Sequence, residues 1–131
     1  MYETFAESEG DRLGEYTFRE RMTSDKDCIQ SQRDDPFFLY LHTNEVHHPY
    51  SPEPERLALM VSGYEGRLPG HISIRVLEKI NAGIKELRPG DREHIVAAYE
   101  AEISSADAGF AEFLALLREL GRYDSSLIVL T

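Results

Sequence analysis

Two adjacent histidines, His47 and His48, followed by Pro49, form the part of this chain best suited to chemistry. They come shortly after a short apolar and uncharged run, residues 36–41, which has the length of one buried strand. The run is nearly continuous rather than alternating, which predicts cover on both faces, as in a parallel sheet. In open α/β sheets, ligands bind beyond the carboxyl ends of the strands. The histidines are therefore the first candidates for a site.

The residues around this histidine pair leave two kinds of chemistry open. A histidine can contact an anion or transfer a proton, because its unperturbed pKa lies near neutrality. Together with His42, the pair could instead bind zinc, but a closed zinc site needs four ligands in known spacings. The sequence has no cysteine pair and no His-x3-His helix motif. We interpret His42 as a packed residue at the strand end, and Asn44 and Glu45 as parts of a solvated loop.

The segments before and after the histidines predict how they are positioned. Residues 1–20 are polar and predict a loosely attached arm, and residues 21–33 predict a helix that Pro36 terminates. Residues 51–70 contain several prolines and glycines and predict an irregular connection, with one short helical turn near Arg56–Val61.

The second half of the chain predicts helices and one more strand. Residues 71–87 show a helical period that Pro89 and Gly90 end. Asp91 then predicts the N-cap of a long helix that ends at Gly121. We expect the buried face of this helix to consist of residues spaced by three and four, namely Ile95, Tyr99, Ile103, Ala106, Phe110, Phe113 or Leu114, Leu117 and Leu120.

An apolar run at Leu127–Thr131 reads as the last strand. Strands separated by helices predict crossover connections, and therefore an α/β fold with a mostly parallel sheet flanked by helices. A domain rarely ends on a buried strand. We therefore expect residues 21–131 to form an incomplete domain, the central fragment of a longer protein.

Composition narrows the functional classes. The chain has 131 residues and a formal net charge of -10, which argues against a nucleic-acid surface, because phosphate contacts need clustered Lys and Arg. No apolar stretch approaches the length of a membrane span, and no signal peptide is visible. The single cysteine, Cys28, excludes an internal disulfide and leaves the compartment open.

Two blocks of the sequence resemble the sulfatase family, a branch of the alkaline-phosphatase superfamily. The first is the Phe-Phe-Leu-Tyr-Leu-His run followed by His-x-Pro-Tyr at residues 47–50. The second is Tyr-x-x-Glu-Ile at residues 99–103, then Asp107, a leucine-rich helix, Leu-Gly-x-Tyr-Asp at residues 120–124 and an apolar strand. The resemblance covers residues 22–50 and 91–131, and it implies a partial alkaline-phosphatase-like α/β/α sandwich.

The resemblance also implies a function and a site. Family members hydrolyse sulfate esters, so a small-molecule or carbohydrate sulfate ester is the expected substrate. His47 then corresponds to the residue that contacts the sulfate group and donates a proton, which makes it both the catalytic and the substrate-binding candidate. We interpret His48 as pointing away, Tyr99 as a core residue and Asp107 as structural.

Most of the family's machinery is not recognisable in this chain. The complete family member binds calcium, but its N-terminal aspartates and the Asp-His pair that follows the strand ending here at Thr131 are not found, so no metal ligand is assigned. The formylglycine nucleophile arises in a Cys-x-Pro-x-Arg context. Cys28 lacks the proline, and Arg33 stands one place late, so Cys28 is interpreted as a helix-face residue. We expect the chain by itself to be inactive.

Two alternatives stay open at this point. One is another enzyme of the same superfamily, such as a phosphodiesterase, a phosphonate monoester hydrolase or a phosphoryl transferase. The other is a non-catalytic acidic domain that binds a partner and retains only the scaffold.

Overall fold

The computed structural model describes residues 36–131, together with Arg19, Met22, Lys26 and residues 29–31. Cys28 lies outside the described residues, and so does the predicted arm 1–20 except for Arg19, which forms an ion pair with Glu112 (2.8 Å). Of the predicted helix 21–33, the described positions are helical.

One long helix, α3 (Asp91–Glu119), organises the fold. It begins after Gly90, whose φ of 84° is a left-handed conformation that glycine adopts readily. Asp91 is the first helical residue and not the predicted N-cap, since Gly90 occupies that position. At the other end, Gly121 (φ 67°) lies in the left-handed region, and its N–H bonds Arg118 O at 3.0 Å. The predicted glycine terminus is thus confirmed.

The buried face of α3 differs from the prediction in its first half. Phe113 and Leu117 are buried as expected, but Tyr99 is 40% exposed, and Ile103 is similarly exposed. The face that is buried instead carries small and polar residues, namely His94, Ala97, Ala98, Ala101 and Glu102. Alanines allow neighbouring backbone to approach closely, so packing density rather than hydrophobic size selects this face.

Within residues 36–131, three short helices accompany α3. Helix α1 (Pro54–Met60) confirms the predicted helical turn and packs against α3. Helix α2 (Ile74–Asn81) is shorter than the predicted 71–87, because the chain leaves the helix at Ala82 and Gly83 takes a φ of 69°. A single 3-10 turn (Tyr123–Ser125) follows α3.

Two apolar clusters lie along α3. The first, here called the Phe113 core, has as its buried members Met22, Ile29, Phe113, Leu116 and Leu117. The second, here called the Ile72 core, has as its buried members Leu68, Ile72 and Ala98, with Tyr50, Leu57, Tyr64, Val76, Leu77 and Ile95 packed around them. Because both clusters include residues of α3, the helix fixes their relative position.

The predicted parallel sheet is wrong for the described residues. Their one β-bridge with both partners described is antiparallel and joins Tyr50 to Ile72. Residues 36–41 are covered on one face only: Phe37, Leu39 and Leu41 pack on the Phe113 core, whereas Phe38 and Tyr40 are 66% and 71% exposed. An apolar run reports β-propensity, but a sheet also needs neighbouring strands to pair with it.

The predicted last strand, Leu127–Thr131, forms no β-ladder either. Leu127 is 91% exposed, and the residues that follow it also remain exposed. The apolar character that predicted a buried strand is present, but no described segment covers it. The fold of the described residues is therefore mainly helical.

No helix among the described residues is long and apolar enough to cross a bilayer.

Candidate functional site

The candidate site is the segment 42–51, here called the histidine loop, which connects the two cores. Leu41, immediately before it, packs on the Phe113 core, and Tyr50, near its end, packs on the Ile72 core. The loop therefore runs beside α3 and is held at both ends by clusters that include this helix.

The first half of the loop is a turn stabilised by short-range polar contacts. The His47 N–H donates to Asn44 O (2.8 Å), and the Glu45 N–H donates to Thr43 Oγ1 (3.1 Å). His42 Nε2 donates to Asn44 Oδ1 (3.1 Å). The Thr43 bond is a side-chain-to-backbone contact typical of Ser and Thr in turns, whereas Asn44 contributes its backbone carbonyl and a side-chain bond to His42. Asn44, predicted to be merely solvated, thus shapes the turn that precedes His47.

His47 is exposed, and the orientation of its ring is set by the next residue. His47 Nδ1 lies 2.7 Å from the His48 carbonyl oxygen. Because a carbonyl only accepts, Nδ1 must carry the proton of this bond, and Nε2 is the nitrogen left for a ligand. The His48 ring lies beside that of His47, with centroids 4.0 Å apart, and the His48–Pro49 peptide bond is cis.

Tyr50 fixes the far end of the loop. Its backbone exchanges two hydrogen bonds with Ile72, at 3.0 Å and 2.7 Å. Its ring meets the Tyr99 ring of α3 edge-on, with centroids 5.5 Å apart, a favourable aromatic geometry. Tyr99, predicted as a core residue, is thus a half-exposed contact to the histidine loop.

Glu102 of α3 receives the last backbone donor of the loop. The Ser51 N–H donates to Glu102 Oε1, and the Glu102 side chain is buried. Burial raises the pKa of the Glu102 carboxyl, the Ser51 N–H opposes this rise, and the Glu45 carboxylate adds to it. Sequence reasoning placed Glu102 in the family pattern at residues 99–103 but gave it no role in the site. The feature of the sequence that could have indicated it is a carboxylate three positions after Tyr99, next to the predicted apolar face of the helix.

The segment after the loop is tied to the same turn of α3. Arg56 Nη1 donates to Ser104 O (3.2 Å) and to Ser104 Oγ (3.1 Å), while its Nε pairs with Glu53 (2.9 Å). Three positions of α3, Tyr99, Glu102 and Ser104, therefore contact the chain between Tyr50 and Arg56.

The structure does not gather the histidines into a metal centre. Among the described residues, no three or more His, Cys, Asp or Glu side chains form a group that could hold a metal ion. His42 is held by Asn44 instead, so it does not share a zinc site with His47 and His48. The described residues therefore do not offer a site that fits the calcium implied by the resemblance.

A second polar cluster, which the sequence did not indicate, lies at the start of α3. The Tyr64 hydroxyl donates to Asp91 Oδ1 (2.6 Å) and accepts the Leu68 N–H (3.0 Å). The Tyr64 ring stacks on His94 with centroids 3.9 Å apart, and His94 Nε2 donates to Pro69 O (3.1 Å). These contacts fold residues 64–69 over the helix start.

The pKa values of the two acidic groups of this cluster, the Asp91 carboxyl and the Tyr64 hydroxyl, are shifted in opposite directions. The Tyr64 hydroxyl and the Arg88 N–H lower the pKa of Asp91, because both stabilise the carboxylate. Burial and the bond to Asp91 raise the pKa of Tyr64. An open cavity of about 490 Å³ lies beside the cluster, between residues 61–66 and 88–93, and none of its lining residues belongs to the histidine loop.

Comparison with known proteins identifies the family of the chain. The family model described as Sulfatase matches residues 3–131, which is nearly the whole chain. No curated protein and no solved structure gives a significant match.

Proposed function

Because this chain belongs to the sulfatase family, we propose that it is part of a hydrolase that cleaves sulfate esters and that His47 contacts the sulfate group. The observation that carries the proposal is the geometry of His47: its Nδ1 is engaged by the His48 carbonyl, so Nε2 of this exposed ring is the nitrogen available to a ligand. A protonated imidazole at this place is a hydrogen-bond donor to an anionic oxygen, and such charge-assisted bonds are among the stronger ones.

The same atom suits the second half of the reaction. As the bond between sulfur and the leaving oxygen breaks, negative charge develops on that oxygen and must be neutralised. His47 Nε2 gives its proton to the leaving oxygen, which departs as an alcohol, and the ring becomes neutral while Nδ1 keeps its proton on His48 O. The proposed role of His47 is therefore anion contact followed by general-acid catalysis.

The nucleophile and the divalent cation are proposed to come from elsewhere in the complete enzyme. Cys28 lacks the formylglycine context, and the described residues form no metal-binding group. We expect the 131-residue chain to show no turnover of p-nitrophenyl sulfate in the presence of Ca²⁺. Turnover that is lost on chelation would contradict this expectation.

Binding can be tested on the chain as it is. Sodium sulfate is titrated while the ring signals of the histidines are followed by NMR, with sodium chloride at matched ionic strength as the control for screening. The His47 signals are expected to shift saturably with sulfate and not with chloride, whereas the His42 signals stay constant. The response is expected to disappear in His47→Ala and to persist in His42→Ala.

Two outcomes would contradict the proposal. Equal responses to sulfate and chloride would mean that His47 does not select the anion, which favours the non-catalytic binding domain. A stronger response to inorganic phosphate than to sulfate would favour the phosphoryl-transfer enzymes of the superfamily.

A further inference from the structure

We infer that Glu102 is the positioning residue of the histidine loop: by accepting the Ser51 N–H, it determines how His47 is presented to a ligand. No hydrogen bond or ion pair joins Glu102 to His47, so the effect passes through the loop backbone. The functional meaning of this inference rests on the proposed role of His47, but the coupling between Glu102 and His47 is measurable without it.

The first argument is the unusual position of the carboxylate. Glu102 is buried on the face of α3 that otherwise carries Ala98 and Ala101. A carboxylate removed from water costs free energy unless hydrogen bonds compensate it, and an apolar residue would fill this place at lower cost. What a carboxylate adds here is a charge-assisted bond to a backbone N–H that lies 51 positions away in sequence.

The second argument is the short path from Ser51 to His47. Only three residues separate them, and the Tyr50 backbone is itself pinned by Ile72. The His47 ring depends on the carbonyl of His48. Glu102 and Ile72 thus restrain two adjacent residues together, and release of Ser51 removes part of the restraint on the segment whose carbonyl determines which ring nitrogen of His47 carries the proton.

The third argument is that the contact forms part of a continuous docking strip. Tyr99, one turn earlier on α3, packs on Tyr50, and Ser104, shortly after Glu102, accepts a hydrogen bond from Arg56. At one end of this strip the Tyr50 and Tyr99 rings pack together, and at the other end the Arg56 guanidinium bonds Ser104. Glu102 lies between these contacts and accepts a hydrogen bond from Ser51, the last residue of the loop.

The test compares Glu102→Gln, whose amide oxygen still accepts the Ser51 N–H, with Glu102→Leu, which removes the acceptor at similar volume. The two readouts are the hydrogen-exchange rate of the Ser51 amide and the ring ¹⁵N shifts of His47, which report the nitrogen that carries the proton. Glu100→Gln and Glu100→Leu, at an exposed position of the same helix, are matched controls. The His94 ring, also on α3, reports whether the helix itself stays intact.

In Glu102→Leu, the Ser51 amide is expected to exchange on the order of tenfold faster or more, since a bond to a charged acceptor is lost. The His47 ring should lose its preference for the Nδ1–H form, while the His94 signals remain unchanged. Glu102→Gln should retain the preference, and the Glu100 variants should behave like the parent chain.

A second variant removes the same hydrogen bond from the side of the loop. Ser51→Pro removes the donor N–H and leaves α3 unaltered, so it replaces Glu102→Leu if that variant does not fold. An unchanged His47 ring in a folded Ser51→Pro or Glu102→Leu chain would overturn the inference.

The sulfate titration separates this inference from the proposed function. If the ring of His47 responds to Glu102→Leu but the parent chain does not select sulfate, the positioning role stands and the proposed function fails. If sulfate binds equally well to the parent, Glu102→Leu and Ser51→Pro chains, the proposed function stands and the positioning role is overturned.

Discussion

The Ser51 N–H and the Glu102 carboxylate join the histidine loop to the middle of α3, and the bond is buried on the helix side. It links the residue directly after the first block of the family pattern to a residue within the second block. The loop that presents His47 is thus not an independent surface feature, because the long helix holds its last residue.

The raised pKa of Glu102 has a consequence for stability. A carboxyl whose pKa is higher in the folded state than in the unfolded state stabilises the fold below its unfolded value, here near 4.5, and loses that contribution as pH rises through the folded pKa. Glu102→Gln does not titrate. Its urea midpoint is therefore expected to rise relative to the parent chain between pH 4.5 and neutrality, and Glu100→Gln should show no such trend.

The lowered pKa of Asp91 predicts the opposite pH dependence. Its contribution is present above the unfolded value of about 3.8 and is lost as pH falls through the folded pKa. Tyr64→Phe removes one stabilising donor, so the parent chain should be more stable than the variant at neutral pH, and the gap should narrow in acid. Thermal unfolding across pH checks this, with Tyr99→Phe as the control. A gap that stays constant with pH would speak against the Tyr64–Asp91 bond.

Because Leu117 is buried in the Phe113 core and Leu130 is exposed, their replacement by alanine should affect the stability of the fold differently. Leu117 is buried, so Leu117→Ala should lower the free energy of unfolding by about 2–5 kcal/mol. Leu130 is 78% exposed, and Leu130→Ala should change the free energy of unfolding by less than about 0.5 kcal/mol. Urea unfolding measures both. A similar loss in the two variants would show that residues 127–131 are packed in solution.

The end of α3 predicts a backbone effect at Gly121. Its φ of 67° is unfavourable for residues with a Cβ, yet a Cβ at this position meets no atom within 4 Å. Gly121→Ala should therefore cost about 1 kcal/mol through conformation alone. Gly121→Asn should cost less, because Asn tolerates this region. Equal unfolding midpoints for the two variants would contradict the conformational explanation.

Local features were predictable from the sequence. The helical period of α3, its glycine terminus and the helical turn after Pro54 follow from interactions between near neighbours in the chain. The motifs around His47 and in the long helix indicated the family, which the match over residues 3–131 confirms. The roles of His47 and of calcium stay predictions.

Contacts between distant residues were not predictable in this way. The sequence by itself determined which segments are helical, though not the bounds of the helix Ile74–Asn81, and which segments are apolar, since these depend on spacing and local propensity. Only the tertiary structure decided that residues 36–41 and 127–131 form no sheet with other described residues, because pairing needs neighbouring strands that an apolar pattern does not supply. It also decided that α3 turns Glu102 inward towards Ser51 and leaves Tyr99 half-exposed, because close packing at Ala98 and Ala101 sets the rotation of the helix.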